Sequence, residues 1–272
     1  MFLDKSKIYD CITFYNENLL VNARFEILND VVDYFIICES KYDHRGKEKN
    51  INFYLKNKKF NKKIRHIILE ENFPNLEDPW EIESYQREMI FKGLYDSSPN
   101  DLIMYSDSDE IPNPQILKNY SLNQKFGIFM MKSYVYKINI FNKYESPWEG
   151  TKICKKKHLK SFSYIRKKIK KKNITKPFWN LFIEKDISIV FNGGWHFNNL
   201  YTPEIISKKL KTFPHREFSG KEFSDVNLIK KKIKNLEDLF NRGHFYEKVK
   251  IDTSYPKFIL ENLDDFRNFI EF

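Results

Sequence analysis

Short β-branched and aromatic runs alternate with longer amphipathic stretches over the first hundred residues of this chain. The runs predict strands, and apolar residues recurring every three to four positions predict the helices between them. The predicted strands are Lys7–Phe14, Tyr34–Glu39, Ile64–Leu69 and Asp101–Tyr105, and the predicted helices are Leu19–Leu28 and Pro79–Tyr95. This alternation is typical of βα units, so we expect an α/β fold with a mostly parallel sheet flanked by helices.

The pattern changes after Phe126, where aromatic-rich runs predict antiparallel pairing. An apolar run, a helix and a further amphipathic stretch follow, at Ile187–Phe191, about Pro203–Thr212 and Leu228–Phe240. The sequence has no internal repeat and no Gly/Ser linker. We therefore expect a single α/β domain over residues 1–272, with an elaborated C-terminal half.

Composition favours a folded protein over a disordered one. Hydrophobic residues make up 41% of the 272 positions, with 25 Phe and 16 Tyr. The formal charge of +10 suits a nucleic acid, an anionic membrane surface or a phosphorylated substrate. Lys far outnumbers Arg and Ala23 is the single alanine, which is typical of an AT-rich genome, so codon bias accounts for part of this charge.

Nothing in the sequence predicts a membrane span or a secretory signal. No stretch of 18 uncharged apolar residues occurs, and the first five residues lack an apolar signal core. Cys11, Cys38 and Cys154 are far apart and odd in number, which fits neither a disulfide framework nor a zinc site. We expect a cytoplasmic protein with reduced thiols, at most peripheral to the inner face of a membrane.

An acidic turn, Ser106–Pro112, follows the fourth predicted strand directly. Open α/β sheets bind ligands at the carboxyl ends of their strands. Asp107 and Asp109 are two residues apart, so in an extended chain both carboxylates share a face that suits Mg²⁺ or Mn²⁺ beside a diphosphate. The alternative is an acidic turn that caps a helix around Pro114–Tyr120.

Two further groups of candidate residues lie in the second half. Two glycines precede Trp195-His196-Phe197, where the imidazole of His196 is either a metal ligand or a packed core histidine. A helix end then carries cations and a carboxylate that suit a leaving diphosphate and an acceptor proton: Lys209, Lys211, His215 and Glu217. The alternative for this group is a solvated helix end that complements the helix dipole.

The run Lys155–Lys172 is dominated by Lys and Arg, with Phe162 and Tyr164 interleaved. Such a run suits a polyanion, either a nucleic acid or the anionic head groups of a membrane. A charge run of this kind also occurs as a solvated loop. Peripheral contact with an anionic membrane is a minor hypothesis for this run.

In this order, the pieces resemble glycosyltransferase family 17. The matching stretches run from about residue 8 to 217: Tyr9–Glu17, Arg24, Val31–Glu39, Gln86-Arg87, Ser106–Pro112, Trp148–Thr151, Gly194–Phe197 and Lys209–Glu217. The Asp43–Gly46 stretch departs from the usual aromatic-x-Gly turn of the family. The basic run has no family counterpart that we identify.

The resemblance implies a GT-A type, Rossmann-like fold, a UDP-sugar donor, Mn²⁺ or Mg²⁺, and inversion at the anomeric carbon. It places the metal at Asp107, Asp109 and His196. It places the nucleotide and its diphosphate near Asn16, Glu17, Arg24, Arg87, Lys209 and His215. Glu149 and Glu217 are the candidates for the base that deprotonates the acceptor hydroxyl. Residues 1–125 would bind the nucleotide sugar and residues 126–272 the acceptor.

The expected reaction is transfer of N-acetylglucosamine or another hexose to a glycan or glycolipid acceptor. We expect the acceptor to belong to a surface polysaccharide or lipopolysaccharide, and we expect no nucleic-acid partner. Two rival functions remain. A metal-dependent phosphohydrolase would place its acidic motif after the first strand, whereas here it follows the fourth. A basic nucleic-acid-binding protein would use the Lys155–Lys172 run and bind with steep salt dependence.

Overall fold

The computed structural model describes residues 6–75, 77–212 and 216–272, and only the backbone of Arg216. The first half builds four parallel strands in the order β3-β2-β1-β4. Its elements are β1 (Ile8–Phe14), α1 (Asn18–Leu28), β2 (Tyr34–Ser40), β3 (Ile64–Leu69), α2 (Pro79–Glu88) and β4 (Leu102–Ser106). These bounds confirm the predicted βα pattern. The predicted helix to Tyr95 is shorter, because the chain continues from Met89 to Leu94 as a 3₁₀ helix.

The second half extends the same sheet with mostly antiparallel strands. It contains β5 (Glu110–Pro112), α3 (Pro114–Lys118), β6 (Phe126–Val135), β7 (Ile140–Phe141), β8 (Trp148–Lys155), α4 (Phe162–Lys168), β9 (Ile187–Asn198), α5 (Pro203–Thr212), α6 (Lys221–Ser224), α7 (Val226–Lys234), β10 (Glu247–Lys248) and α8 (Lys257–Glu261). The main path runs β10-β7-β6-β8-β4-β1-β2-β3, and β9 pairs with β5 and β6. The antiparallel pairing predicted after Phe126 is confirmed for β6 with β7 and β8, whereas β9 runs parallel to β6.

Alternate side chains of the central strands enter two apolar layers, as the pleat of a strand requires. Cys11 and Ile36 face the layer that also holds Phe162 of α4. Ile12 and Ile37 face the opposite layer, which α1 covers. Helices therefore lie on both faces of the parallel strands. The predicted α/β fold of GT-A type is confirmed.

Strand β9 is longer than the sequence indicates. Asn192-Gly193-Gly194 resembles a turn, yet the strand runs through it from Ile187 to Asn198, and its register against β6 shifts between Phe129 and Met131. Gly194 has φ +146°, and a Cβ atom there would lie 2.1 Å from the carbonyl oxygen of Ile111. The missing side chain therefore lets β9 approach β5 closely.

Two further observations concern the cysteines and the length of the helices. The three cysteines are buried and free, as expected. Over the described ranges, no helix has both the length and the apolar character needed to cross a bilayer.

Candidate active site

A cleft of about 520 Å³ opens at the carboxyl edge of the parallel strands. Thr13 at the end of β1, Ser40 at the end of β2 and the acidic turn after β4 all line it. Its size is within the usual range for small-molecule sites. The topology therefore brings three strand ends, which are far apart in the sequence, to one ligand-sized space.

Hydrogen bonds to the Glu110 side chain and to β9 hold the backbone of the acidic turn in shape. The amide of Asp107 donates to Glu110 Oε2 at 3.2 Å, and the carbonyl oxygen of Asp109 accepts from the amide of Phe197 at 2.9 Å. Helix α3 is capped instead by Asn113, whose side chain accepts from the amide of Gln115. The helix-cap alternative for the two aspartates is therefore wrong. Both aspartate side chains line the cleft.

Asp107 forms an ion pair with Arg166 of α4, with Nη2 and Oδ2 2.7 Å apart. Burial by itself raises the pKa of the Asp107 carboxyl, but the guanidinium groups of Arg166 and Arg87 outweigh it and hold that pKa below its ordinary value. Asp107 is therefore ionised at neutral pH. Arg166 lies within the predicted basic run, so that run reaches the cleft as well as the surface.

Asp109 lies beside His196, with Oδ1 and Nε2 3.8 Å apart. Burial raises the pKa of the Asp109 carboxyl, and the neighbouring His196 and Lys209 offset this only in part. The imidazole of His196 stacks on the Trp148 ring at 4.6 Å, and its Nδ1 lies 3.4 Å from Ser133 Oγ. His196 is therefore packed in the core, as the alternative predicted, and its side chain also lines the cleft.

The side chains of Asp107, Asp109 and His196 are of the types that bind a divalent cation. Two carboxylates and one imidazole face the same cleft, and a cation beside Asp109 would offset the burial that disfavours its charge. In the three described ranges, no three His, Cys, Asp or Glu side chains are close enough to enclose a metal ion. The donor set thus suits a cation that completes its shell with phosphate oxygens and water, as Mg²⁺ and Mn²⁺ do.

Arg87 of α2 presents an unused donor to the cleft. Its side chain is 2% exposed, and it donates from Nε to the Tyr105 hydroxyl at 2.9 Å and pairs through Nη2 with Glu83 at 3.0 Å. Nη1 is buried and has no hydrogen-bond partner in the described part of the chain. A buried donor without a partner is costly, so an anionic ligand oxygen at this position would be strongly favoured.

Arg24 of α1 supports the turn from below rather than lining the cleft. Its guanidinium holds Asp10 of β1 in a bidentate pair at 2.6 Å, and it also donates to Ser106 Oγ and to the Glu110 carbonyl oxygen. Both members of the pair are almost fully buried. Arg24 therefore joins β1 to both ends of the acidic turn.

Glu17 and Lys209 also line the cleft. The Glu17 carboxylate accepts from the amides of Tyr15 and Asn16 at 2.9 Å and from the Tyr201 hydroxyl. The ammonium of Lys209 lies 5.1 Å from the centre of the Tyr201 ring. Lys209 is therefore part of the cleft and not a fully solvated helix end.

Asn16 lines a neighbouring cavity of about 480 Å³. That cavity shares Tyr15, Lys49 and Thr212 with the main cleft, so the two spaces adjoin. Asp43 after β2 is also in its lining. The second cavity thus lies beyond the ends of β1 and β2.

The two candidate bases lie elsewhere. Among the described residues, neither Glu149 nor Glu217 lines the cleft. On β8 it is Trp148 that faces the cleft, and Glu149 Oε2 is buried, 3.8 Å from the Lys152 ammonium. Glu217 is exposed and follows the undescribed residues 213–215, which include His215. Both base assignments stay predictions, and His215 lies outside the described residues.

The structure adds cleft residues that the sequence analysis did not single out. Arg166, Lys167 and Lys170 come from α4 and the residues just after it. Burial is the main cause that lowers the pKa of the Lys170 ammonium, and repulsion from Arg166 adds to it. Arg166 had one available signal, since it is an arginine within a run of lysines.

This combination of fold and cleft defines an α/β protein that binds its ligand at the carboxyl edge of a parallel sheet. The chain belongs to glycosyltransferase family 17, whose family model matches residues 2–267. The resemblance noted from the sequence is thereby confirmed.

Curated relatives agree with the family match. The chain is 26% identical over 302 aligned residues to the β-1,4-mannosyl-glycoprotein 4-β-N-acetylglucosaminyltransferase of Rattus norvegicus, and 25% identical to that of Homo sapiens. Each alignment covers 97% of this chain but 54% and 55% of the relatives. The chain thus spans about half the length of the curated relatives it matches.

Solved structures match more loosely. Glucosyl-3-phosphoglycerate synthase from Mycobacterium tuberculosis, in complex with Mn²⁺, UDP and phosphoglyceric acid, overlaps with a TM-score of 0.32 and 12% identity. The overlap covers 69% of each chain. A second structure of that enzyme, with Mn²⁺, UDP-glucose and phosphoglyceric acid, gives a TM-score of 0.34 and 13% identity, covering 69% of this chain and 70% of the other.

Proposed function

We propose that this chain is a metal-dependent, inverting glycosyltransferase that moves a sugar from a UDP-sugar to a hydroxyl of a glycan or glycolipid. Family membership supports transfer of a sugar from a nucleotide donor. The printed name of the curated relatives supports N-acetylglucosamine as the first donor sugar to test. A role in surface polysaccharide or lipopolysaccharide synthesis stays a prediction from the sequence.

One observation carries the proposal: carboxylates and cations line the same cleft. Asp107 and Asp109 stand at the end of β4, while Arg87, Arg166 and Lys209 line the same space. A nucleoside diphosphate bound with a divalent cation needs both kinds of group, because the cation seeks carboxylates and the phosphates seek guanidinium and ammonium groups.

Of the three candidate side chains Asp107, Asp109 and His196, one or two would hold the cation, since the three are not close enough together to enclose it. When bound, Mg²⁺ or Mn²⁺ would offset negative charge on the departing diphosphate. Arg87 would donate from its unpartnered Nη1 to a phosphate oxygen, and Lys209 would add an ammonium on the other side. Packing fixes the positions of these groups. They would therefore be in place to stabilise the negative charge that develops on the diphosphate as its bond to the sugar breaks.

The nucleoside would occupy the second cavity beside Asn16 and Tyr15. That cavity adjoins the cleft at the ends of β1 and β2, and its lining is polar, with Asn50 and Asn52 among the residues. This assignment agrees with a nucleotide-binding role for residues 1–125. Residues 126–272 would then bind the acceptor and also contribute to the donor site, since His196 and Lys209 line the cleft and Lys208 lines the second cavity.

The acceptor base is assigned to Glu149 or Glu217. Inversion needs one carboxylate to remove the hydroxyl proton as the acceptor attacks from the face opposite the leaving group. Replacing each by glutamine separates them. The true base is the one whose loss lowers kcat while the affinity for UDP is kept.

Calorimetric titration of the purified chain with UDP, GDP, CMP and ADP, each with Mn²⁺, Mg²⁺ or chelator, tests the donor and the metal without an acceptor. We expect UDP to bind, and to bind more tightly with metal. Asp109→Asn should remove the metal effect, whereas Asp264→Asn, at an exposed position, is the matched control. Metal-dependent binding of another nucleotide would contradict UDP, and no binding by any nucleotide would contradict the transferase.

A further inference from the structure

Six large apolar side chains are exposed between Ile174 and Phe191, in the part of the chain that follows α4. Phe178 is 80% exposed, Trp179 70%, Leu181 83% and Phe182 93%. We call these, with Ile174 and Phe191, the aromatic surface. Scattered apolar residues on a surface are ordinary, but four within five positions concentrate exposed apolar area in the way that marks an interaction site.

Hydrogen bonds fold this segment into turns, so its apolar side chains are exposed on an ordered backbone. The amide of Asn180 donates to the Pro177 carbonyl oxygen at 3.1 Å, and the amide of Ile183 donates to that of Asn180 at 3.2 Å. The ammonium of Lys185 also donates to Pro177. Consecutive turns therefore hold the apolar side chains outward, and the rings of Phe178 and Trp179 pack edge to face with centroids 5.2 Å apart.

The same segment is strongly basic. Residues 166–185 contain eight Lys or Arg and one acidic residue, Glu184, whose carboxylate accepts from the Tyr164 hydroxyl at 3.2 Å. Lys171 and Lys172 are exposed, and the Lys171 ammonium lies 5.6 Å from the centre of the Phe191 ring. Aromatic and basic groups are thus interleaved on one surface.

We propose that the aromatic surface docks onto an anionic lipid bilayer, with its apolar side chains in the interface and the lysines on the head groups. Trp and Phe beside Lys are the side chains that amphipathic membrane-surface segments use. A second copy of this chain would bring two sets of positive charges together, whereas an anionic bilayer neutralises them. The apolar groups protrude from turns, which suits insertion among lipids.

Docking here would place the cleft next to the membrane. Lys167 and Lys170 line the cleft, and Lys171 is the next residue along the chain. The basic run would thus contribute to two sites. Arg166 belongs to the cleft, and the exposed lysines would contact the membrane. The docking proposal does not depend on the donor or on catalysis.

Sedimentation with vesicles tests the proposal, using phosphatidylcholine alone and phosphatidylcholine mixed with phosphatidylglycerol. The native chain should bind the mixed vesicles and release them at high salt. Trp179→Ser with Phe182→Ser should weaken binding about tenfold or more. Phe272→Ser, at a residue 81% exposed elsewhere, is the matched control and should bind as the native chain does.

A second pair of variants tests the charge. Lys171→Gln with Lys172→Gln should weaken binding by roughly tenfold or more, since each lysine at an anionic surface contributes about fivefold. Lys248→Gln with Lys250→Gln, also exposed, should leave binding unchanged. Equal binding to both vesicle types would overturn the role given to the lysines.

Tryptophan emission locates the contact. Mixed vesicles should shift the emission of the native chain to shorter wavelength, and Trp179→Phe should lose that shift while still sedimenting. Unchanged thermal midpoints would show that the exposed variants fold. Failure of the folded native chain to sediment would overturn the proposal. So would a dimer, seen by analytical ultracentrifugation, that Trp179→Ser with Phe182→Ser dissociates.

Discussion

The guanidinium of Arg166 donates a hydrogen bond to the carboxylate of Asp107, with Nη2 and Oδ2 2.7 Å apart. The two residues are 59 positions apart in the sequence. One belongs to the acidic turn after β4 and the other to the basic segment that carries α4. The chain itself therefore places a positive charge, that of Arg166, beside the carboxylate that we assign to the metal.

Removal of Arg166 should change metal binding and nucleotide binding in opposite directions. In Arg166→Met, Asp107 loses its competing cation, so Mn²⁺ alone should bind more tightly, by about tenfold. UDP should bind more weakly, because one phosphate-binding cation is lost. Separate titrations with Mn²⁺ and with UDP measure both effects. Lys168→Met, at an exposed lysine of the same helix, should change neither. Parallel loss of both affinities would mean that Arg166 only holds the turn together.

Replacement of Arg87 by lysine should weaken UDP binding by about tenfold while the protein stays folded. Lysine keeps the charge but cannot present the unpartnered Nη1 while also holding Tyr105 and Glu83. Calorimetric titration gives the affinity, and thermal unfolding checks the fold. Arg45→Lys, at an exposed position, serves as the control. Native affinity in Arg87→Lys would show that the buried donor does not meet the ligand.

The Arg24–Asp10 pair should make its contribution to stability rather than to ligand contact. Arg24→Met leaves a buried carboxylate without its partner and should lower the free energy of unfolding by about 3–5 kcal/mol. Adding Asp10→Leu removes that unpaired charge and should restore part of the loss. Urea unfolding of the native chain, both single variants and the double variant measures the coupling. A cost below about 1 kcal/mol for Arg24→Met would contradict this role.

A methyl group at Gly194 should disturb the acidic turn through the β5–β9 pairing. The added Cβ would meet the Ile111 carbonyl oxygen, so the strands must separate. Gly243→Ala is a control for backbone strain alone. Gly243 also has positive φ, at +76°, but among the described residues no atom lies within 4 Å of a Cβ there. We expect Gly194→Ala to cost at least about 2 kcal/mol more than Gly243→Ala in urea unfolding. Equal costs would mean that β9 can shift without penalty.

The first half of the fold could be predicted because its signals are local. Apolar periodicity marks β1 to β4 and α1 within one residue of their observed bounds, and it marks the start of α2 but places its end seven residues too late. The acidic turn was found for the same reason, since a buried strand leads directly into it. Asn113 shows the limit of that reasoning, because an acidic turn near a helix and a true cap give similar sequences.

The other parts of the site depend on contacts between distant residues. Arg166 reaches Asp107 through the packing of α4, and nothing near either residue indicates this contact. Likewise, the pleat of β8 puts Trp148 toward the cleft and Glu149 away from its lining, but a strand sequence does not say which face meets the ligand. The length of β9 was underestimated because Gly193 and Gly194 resemble a turn, although β5 and β6 hold them in a strand.

The segment between β8 and β9 has an evolutionary consequence. It leaves the sheet after Lys155 and returns at Ile187, so the ladders on either side can form whatever sequence lies between. Phe162, Ile165 and Ile169 are three of the buried residues that anchor it to the core. A homologue could therefore exchange this insert for another, keep those three anchors, and acquire a different cleft wall and outer surface in a single recombination event.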